Sequence, residues 1–120
     1  MANTAIAMKQ RTKEFALRVI KMVRSLPKDF VSQTMGKQVL RSATSVGANY
    51  RAASRGRSPA EFRAKIGIVL EECDESGYWI ELLRNSETLP ASKLVALLQE
   101  ANEITAMMVA SLNTSRKNNR

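Results

Sequence analysis

The chain has 120 residues, and its nineteen Lys and Arg residues exceed its eleven Asp and Glu residues to give a formal net charge of +8. This length supports one domain with a modest core, and the absence of histidine together with a single cysteine excludes ordinary zinc and haem sites and histidine-based catalysis, so we expect no metal or cofactor. The N-terminus lacks the pattern of a signal peptide and no segment approaches the ~18 apolar residues of a membrane span, so we expect a cytoplasmic protein that does not associate with membranes.

Two helices are predicted in the first half of the chain. Helix 1 is predicted over residues 4–25, because apolar residues recur there at helical spacings and Pro27 then forces the chain out of helical geometry. Helix 2 is predicted over residues 30–54, where an apolar series runs from Val39 to Ala53 and Gly56 supplies a stop.

Two further helices are predicted in the second half. The segment Ser58-Pro59-Ala60-Glu61 combines a capping serine, a proline at the first helical position and a glutamate three residues after the cap, so helix 3 is predicted over residues 59–85. Helix 4 is predicted over residues 91–114, after Pro90, and residues 115–120 are predicted to form a frayed basic tail.

Four long helices joined by short turns predict an all-α protein, a single-domain, up-down antiparallel four-helix bundle. The structural alternative is a three-helix bundle against which helix 1 packs loosely.

Helix 3 carries a second apolar stripe beside its main one. Ile68, Trp79 and Leu82 fall on this stripe, and Ile20 and Val23 widen the apolar face of helix 1 in a similar way. The stripe can pack between two helices of its own bundle, or it can form an interface between subunits. Because two helices have surplus apolar width, we expect a homo-oligomer.

Polar side chains beside the apolar faces of helices 2 and 3 need partners. The set consists of Ser42, Ser45 and Asn49 on helix 2 and of Glu72 and Glu75 on helix 3. We interpret it as a structural hydrogen-bond network between the two helices, whose register stays open. The alternative, a catalytic carboxylate pair, lacks an accompanying nucleophile or phosphate loop. Cys73 is predicted to be a core thiol, with its pKa raised by neighbouring carboxylates.

Positive charge is concentrated in one half of the chain. Residues 1–57 contain twelve basic and two acidic residues, a net +10, whereas residues 58–120 contain seven and nine, a net −2. Such a surface can be an ordinary solvated one, or it can neutralise the phosphates of a nucleic acid. A role at a membrane surface is disfavoured, because the apolar helix faces are needed for the bundle core. We select nine residues as candidate nucleic-acid contacts: Lys13, Lys21, Arg24, Lys28, Lys37, Arg41, Arg51, Arg55 and Arg57.

The sequence from Arg41 to Ala53, followed by Glu61-Phe62, by residues 65–69 and by residues 71–83, closely resembles the bacterial four helix bundle protein family. That family includes the proteins encoded in intervening sequences of 23S ribosomal RNA genes. Many members read Asn-Ile-Ala-Glu-Gly where this chain has Asn49-Tyr50-Arg51-Ala52-Ala53, so Arg51 adds a positive charge here.

The resemblance implies a four-helix bundle that assembles into a ring, commonly a homopentamer, and it implies no catalytic residues. A similar relative is the accessory protein of diversity-generating retroelements, which binds nucleic acid and a reverse transcriptase. The leading hypothesis is therefore a non-enzymatic, oligomeric adaptor that binds structured RNA or DNA through helices 1 and 2. The alternative is a protein-interaction scaffold, for example a partner of a reverse transcriptase, that has no role with nucleic acids.

Overall fold

The computed structural model of the chain describes residues 2–118. Four helices, α1 (Ala2–Arg24), α2 (Phe30–Ser54), α3 (Pro59–Asn85) and α4 (Val95–Asn118), account for most of these residues, and a short 3-10 turn at Ala91–Lys93 precedes α4. The part of the chain that the structure describes contains no strand. The prediction of an all-α four-helix bundle is confirmed. None of the described helices is both long enough and apolar enough to cross a bilayer.

Side-chain caps set where α2 and α3 begin. Asp29 accepts hydrogen bonds from the backbone N–H and the hydroxyl of Ser32, at 2.9 and 2.8 Å, which lowers the pKa of Asp29. Ser58 accepts from the N–H of Glu61 at 3.1 Å, and the Glu61 carboxylate accepts from the N–H of Arg57 at 2.8 Å. These bonds satisfy amide groups that have no partner within the helix. Both helices begin and end at the predicted residues.

The fourth helix differs from the predicted range of 91–114. After the extended Pro90, residues 91–93 form the 3-10 turn, and α4 begins at Val95 because the fully buried Leu94 anchors the chain there. The predicted frayed tail is helical as far as Asn118, while residues 119–120 lie outside the described part. Arg63 donates to the hydroxyl of Ser115 at 3.4 Å, and basic residues in the last turn suit the negative end of the helix dipole.

The core runs along the bundle between all four helices. Phe15 and Val19 of α1 are fully buried, as are Ile66 and Ile80 of α3 and Ile104 of α4. Because α1 contributes such residues, the alternative of a loosely attached helix 1 is excluded. α2 packs between α1 and α3, and α3 packs between α2 and α4, whereas the seam between α1 and α4 is sparser.

Close packing near the α1–α2 turn depends on one glycine. A Cβ atom at Gly36 would lie 2.7 Å from Cδ1 of the buried Leu26 and 3.4 Å from Cγ1 of Val23. The absence of a side chain therefore lets the start of α2 approach the end of α1, which brings the two helices together at this end of the bundle.

Candidate nucleic-acid interface

An open groove runs between α1 and α2. It has a volume of about 690 Å³. Lys9 and Lys13 of α1 line one side, and Arg51 and Arg55 of α2 line the other. Its remaining lining residues are small or uncharged: Ile6, Gln10, Ala16, Thr44, Gly47 and Ala48. We refer to this feature as the α1/α2 groove.

Helix geometry explains how these four cations meet. Gly47 approaches the backbone of Thr12, and this close approach places residue 47 of α2 opposite residue 12 of the antiparallel α1. Residues 9 and 13 then share one side of α1, and residues 51 and 55 share one side of α2, because residues four apart are neighbours on a helix surface. The sequence analysis selected Lys13, Arg51 and Arg55 but missed Lys9, whose spacing of four from Lys13 was the available signal.

The cations of the α1/α2 groove have no counter-ion within the described residues. None of the four forms an ion pair or a side-chain hydrogen bond there. The first 57 residues contain only two carboxylates: Glu14, which accepts a hydrogen bond from Gln10, and Asp29, which caps α2 at the other end of the helix pair. The groove is therefore a locally uncompensated positive surface.

The other predicted contacts are exposed but lie elsewhere. Arg24, Lys28 and Lys37 are at the α1–α2 turn end of the bundle, and Lys21 faces a separate groove beside α4. Arg57 lies in the turn between α2 and α3 and lines a shallow depression there. The nine predicted residues thus do not form one continuous surface, and the structure brings only three of them together.

Arg41 points towards α3, although the sequence analysis selected it as a nucleic-acid contact together with Arg51 and Arg55. Its guanidinium forms ion pairs with Glu72, at 3.0 Å, and with Glu75. Glu75 also accepts from the indole N–H of Trp79 at 3.1 Å. The Trp79 bond and the Arg41 pair lower the pKa of Glu75, and Glu75 and Glu72 in turn raise the pKa of Arg41. The charge of Arg41 is therefore compensated within the chain.

The predicted polar network is divided into separate groups of partners. Their contacts show which residues of α2 lie opposite which residues of α3. Ser76 donates to Ser42 across the α2–α3 interface at 2.9 Å, and both hydroxyls are buried. Asn49 instead donates to the backbone carbonyl and the hydroxyl of Ser45, within α2. Glu72 and Glu75 pair with Arg41 at the surface. The prediction of a structural role fits this arrangement, but its inter-helix partners, Ser76 and Arg41, were not in the predicted polar set.

The second apolar stripe on α3 lies partly against the chain's own core. Trp79 and Leu82 are half-buried and pack on core residues, while Ile68 is 37% exposed. The structure also exposes large apolar residues that were not selected from the sequence, among them Tyr78 on α3 and Val95 and Val109 on α4. The role of Ile68, Trp79 and Leu82 in a subunit interface stays a prediction.

The single cysteine is engaged in a structural contact. Cys73 is buried, and its thiol donates to the carbonyl of Ala101 at 3.2 Å. Burial is the main cause that raises the pKa of Cys73, and the negative charges of Asp74 and Glu100 raise it to a smaller extent. Within residues 2–118 no three His, Cys, Asp or Glu side chains converge on a possible metal site.

A cation that was not selected from the sequence joins α1 to α4. Arg11 donates through Nε and Nη2 to both carboxylate oxygens of Glu100, at 2.7 and 2.8 Å, and through Nη2 to Glu103 at 2.7 Å. Glu100 and Glu103 raise the pKa of Arg11, and the pKa of Glu103 is lowered by a hydrogen bond from Gln99 and by Arg11. The guanidinium fork suits such bidentate pairing, so Arg11 helps to hold the sparse α1–α4 seam.

Comparisons with known proteins agree with this architecture. A family model described as "23S rRNA-intervening sequence protein" matches residues 4–110. The crystal structure of a protein with unknown function from the S23 ribosomal protein family of Bacteroides thetaiotaomicron VPI-5482 is similar, with a TM-score of 0.84 and 32% sequence identity over 91% of this chain and 97% of that one. No curated protein matches the sequence.

Proposed function

The chain belongs to the 23S rRNA-intervening sequence protein family, and on that basis we propose that it is a non-enzymatic, cytoplasmic adaptor that binds RNA or DNA through the α1/α2 groove. The observation that carries the proposal is the convergence of Lys9, Lys13, Arg51 and Arg55 on one groove, where no carboxylate of residues 2–118 pairs with any of them. A structured nucleic acid is the class of ligand that such a surface fits, because it presents regularly spaced phosphates.

The energetic argument rests on counter-ion release. Each phosphate that a lysine or arginine neutralises releases condensed cations, and this release favours binding whatever the base sequence. The small residues Ala16, Gly47 and Ala48 leave the floor of the groove open, so a sugar–phosphate backbone can approach the cations on both sides. Gln10 and Thr44 add polar groups for further hydrogen bonds to phosphate or sugar oxygens.

A homo-oligomer, with a pentamer favoured by the family resemblance, would strengthen this activity. Each copy would present the same groove, and linked grooves bind one long ligand more tightly than a single groove does, because the later contacts are intramolecular. Ile68, with its exposed side chain on α3, is the member of the predicted interface that is best placed to reach a second copy.

A mobility-shift titration at low salt tests the proposal. We expect the wild-type protein to bind a labelled RNA hairpin and a DNA duplex, and we expect Lys13→Glu/Arg51→Glu to abolish the shift at the same concentrations. The matched control is Lys65→Glu/Lys117→Glu, which reverses two exposed positive charges on α3 and α4 and changes the net charge equally.

Three outcomes would refute the proposal. The first is the absence of any shift with either ligand at low salt. The second is equal loss of binding in the groove variant and in its control, since net charge alone would then explain it. The third is unchanged binding by the groove variant. Circular dichroism of each variant establishes that its helices are intact before binding is compared.

A further inference from the structure

A second groove lies on the other side of α1, where the sparse α1–α4 seam opens towards the start of α4. Its volume is about 360 Å³. One side is lined by Arg18, Lys21 and Met22 of α1 and by Ser25, which directly follows that helix. The other side is lined by Leu89 and Lys93, which precede α4, and by Ala96 and Leu97 in its first turn. We refer to it as the α1/α4 groove. Along α1 it extends from Arg18 to Ser25, just past the end of the helix, which is about 10 Å or two helical turns.

The rim of the α1/α4 groove is cationic and uncompensated. Arg18, Lys21 and Lys93 form no ion pair or side-chain hydrogen bond within residues 2–118. The carboxylates of α4 that face α1, Glu100 and Glu103, lie further along the seam and are already bound by Arg11. The seam therefore has one stretch closed by an ion-pair cluster and an adjacent stretch whose charged lining residues, Arg18, Lys21 and Lys93, are all basic.

The floor of the α1/α4 groove is apolar. Met22 and Leu97 are core residues whose edges reach the groove, Leu89 is half-buried beside them, and Ala96 adds a small apolar surface. A phosphate backbone can use the cationic rim but gains nothing from such a floor. An amphipathic helix with apolar anchors and acidic flanks can use both, because its anchors bury apolar area while its carboxylates meet the rim.

We propose that the α1/α4 groove docks an acidic amphipathic helix of a partner protein. Two turns of that helix match the length of the groove, with anchors at i, i+3 or i+4, and i+7 on the floor formed by Met22, Leu89 and Leu97. This groove and the α1/α2 groove lie on opposite sides of α1 and share no lining residue. The docking site is thus independent of the proposed nucleic-acid activity, and both ligands can be held at once.

The test uses three synthetic helical peptides of about 16 residues, with Leu, Met or Phe at the anchor positions and Glu at the flanking positions. Binding is measured by fluorescence anisotropy with the full chain. We expect at least one peptide to bind, and we expect weaker binding by two control peptides, one with Lys in place of Glu and one with Ser in place of the anchors. In a methyl-labelled sample, the signals of Met22, Leu89 and Leu97 should shift on titration.

Variants locate the site. Arg18→Glu/Lys93→Glu should weaken peptide binding by roughly tenfold or more, because the new carboxylates of the rim repel the glutamates of the peptide. Lys9→Glu/Lys13→Glu, which changes the net charge equally in the other groove, should leave peptide affinity unchanged. Arg18, Lys93 and Lys13 are exposed and Lys9 is partly exposed, so both variants are expected to keep wild-type helicity.

Several results would overturn the proposal. It is refuted if none of the three peptides binds, or if the control peptides bind as tightly as the acidic amphipathic ones. It is also refuted if Arg18→Glu/Lys93→Glu abolishes binding of the RNA hairpin and leaves the peptide unaffected, since the groove would then belong to the nucleic acid. Conversion of an oligomer to a monomer by this variant, seen by light scattering, would assign the groove to a second copy of the chain.

Discussion

The number of phosphates that the α1/α2 groove neutralises can be measured from the salt dependence of binding. Four cations line the groove, and each phosphate neutralised on duplex DNA contributes about 0.9 to the slope of log K against log salt. If all four make contacts, we expect a slope of about −3.6 for the wild-type chain. Raising the salt from about 50 to about 200 mM should then weaken binding by about 150-fold.

The perturbation is Lys13→Gln/Arg51→Gln, which removes one positive charge from each side of the groove without adding a negative one. With two contacts left, the slope should fall to about −1.8, and the same rise in salt should weaken binding by only about 12-fold. The assay is fluorescence anisotropy of a labelled DNA duplex at five or so salt concentrations. Lys65→Gln/Lys117→Gln is the matched control and should keep the wild-type slope.

A double variant whose slope equals that of the wild type would refute this reasoning, even if its affinity is lower. The contacts would then lie elsewhere, and the exposed cations near the α1–α2 turn, Arg24, Lys28 and Lys37, would be the next set to neutralise. Arg41→Gln offers a further comparison, because Glu72 and Glu75 already compensate its charge and its loss should leave the slope unchanged.

Three more predictions concern assembly and stability. Light scattering after gel filtration should show that the wild-type protein is an oligomer, and a monomer at micromolar concentration would contradict the interface. Ile68→Asp should dissociate the oligomer and leave the helicity of the chain intact. Trp79→Asp should also destabilise the fold, because Trp79 packs on the core. Stability should decline as the pH falls below about 4.3, because the lowered pKa values of Glu75 and Glu103 make their ionised forms stabilising above that value, and this contribution disappears on protonation. Thermal melts between pH 3 and 7 measure the decline, which should be smaller in Glu75→Gln. In urea titrations Gly67→Ala should raise the free energy of unfolding by about 0.5–1 kcal/mol, since the added Cβ has no atom within 4 Å outside the adjacent part of its own helix. Gly36→Ala should raise the free energy of unfolding by less, or lower it, because the added Cβ meets the side chain of Leu26. Equal increases for the two variants would show that the contact with Leu26 imposes no constraint.

The positions of the helices in this protein are determined mainly by local sequence. Caps such as Ser58 and stops such as Pro27 act within a few residues, and apolar residues at helical spacings identify a buried face before any partner is known. These signals predicted the four-helix architecture and the bounds of α2 and α3. They missed the 3-10 turn before α4, which depends on the burial of Leu94. They also missed the continuation of α4 to Asn118, where Ser115 contacts Arg63 of α3.

The candidate sites depend on which helices are neighbours and at what level they meet. The sequence by itself determined that positive charge is concentrated in the first 57 residues. Only the tertiary structure decided that Lys9, Lys13, Arg51 and Arg55 share a groove, that Arg41 instead pairs with Glu72 and Glu75, and that Ser42 meets Ser76. The physical reason is that periodicity places a side chain on one helix face but carries no information about the register of the helix packed against it.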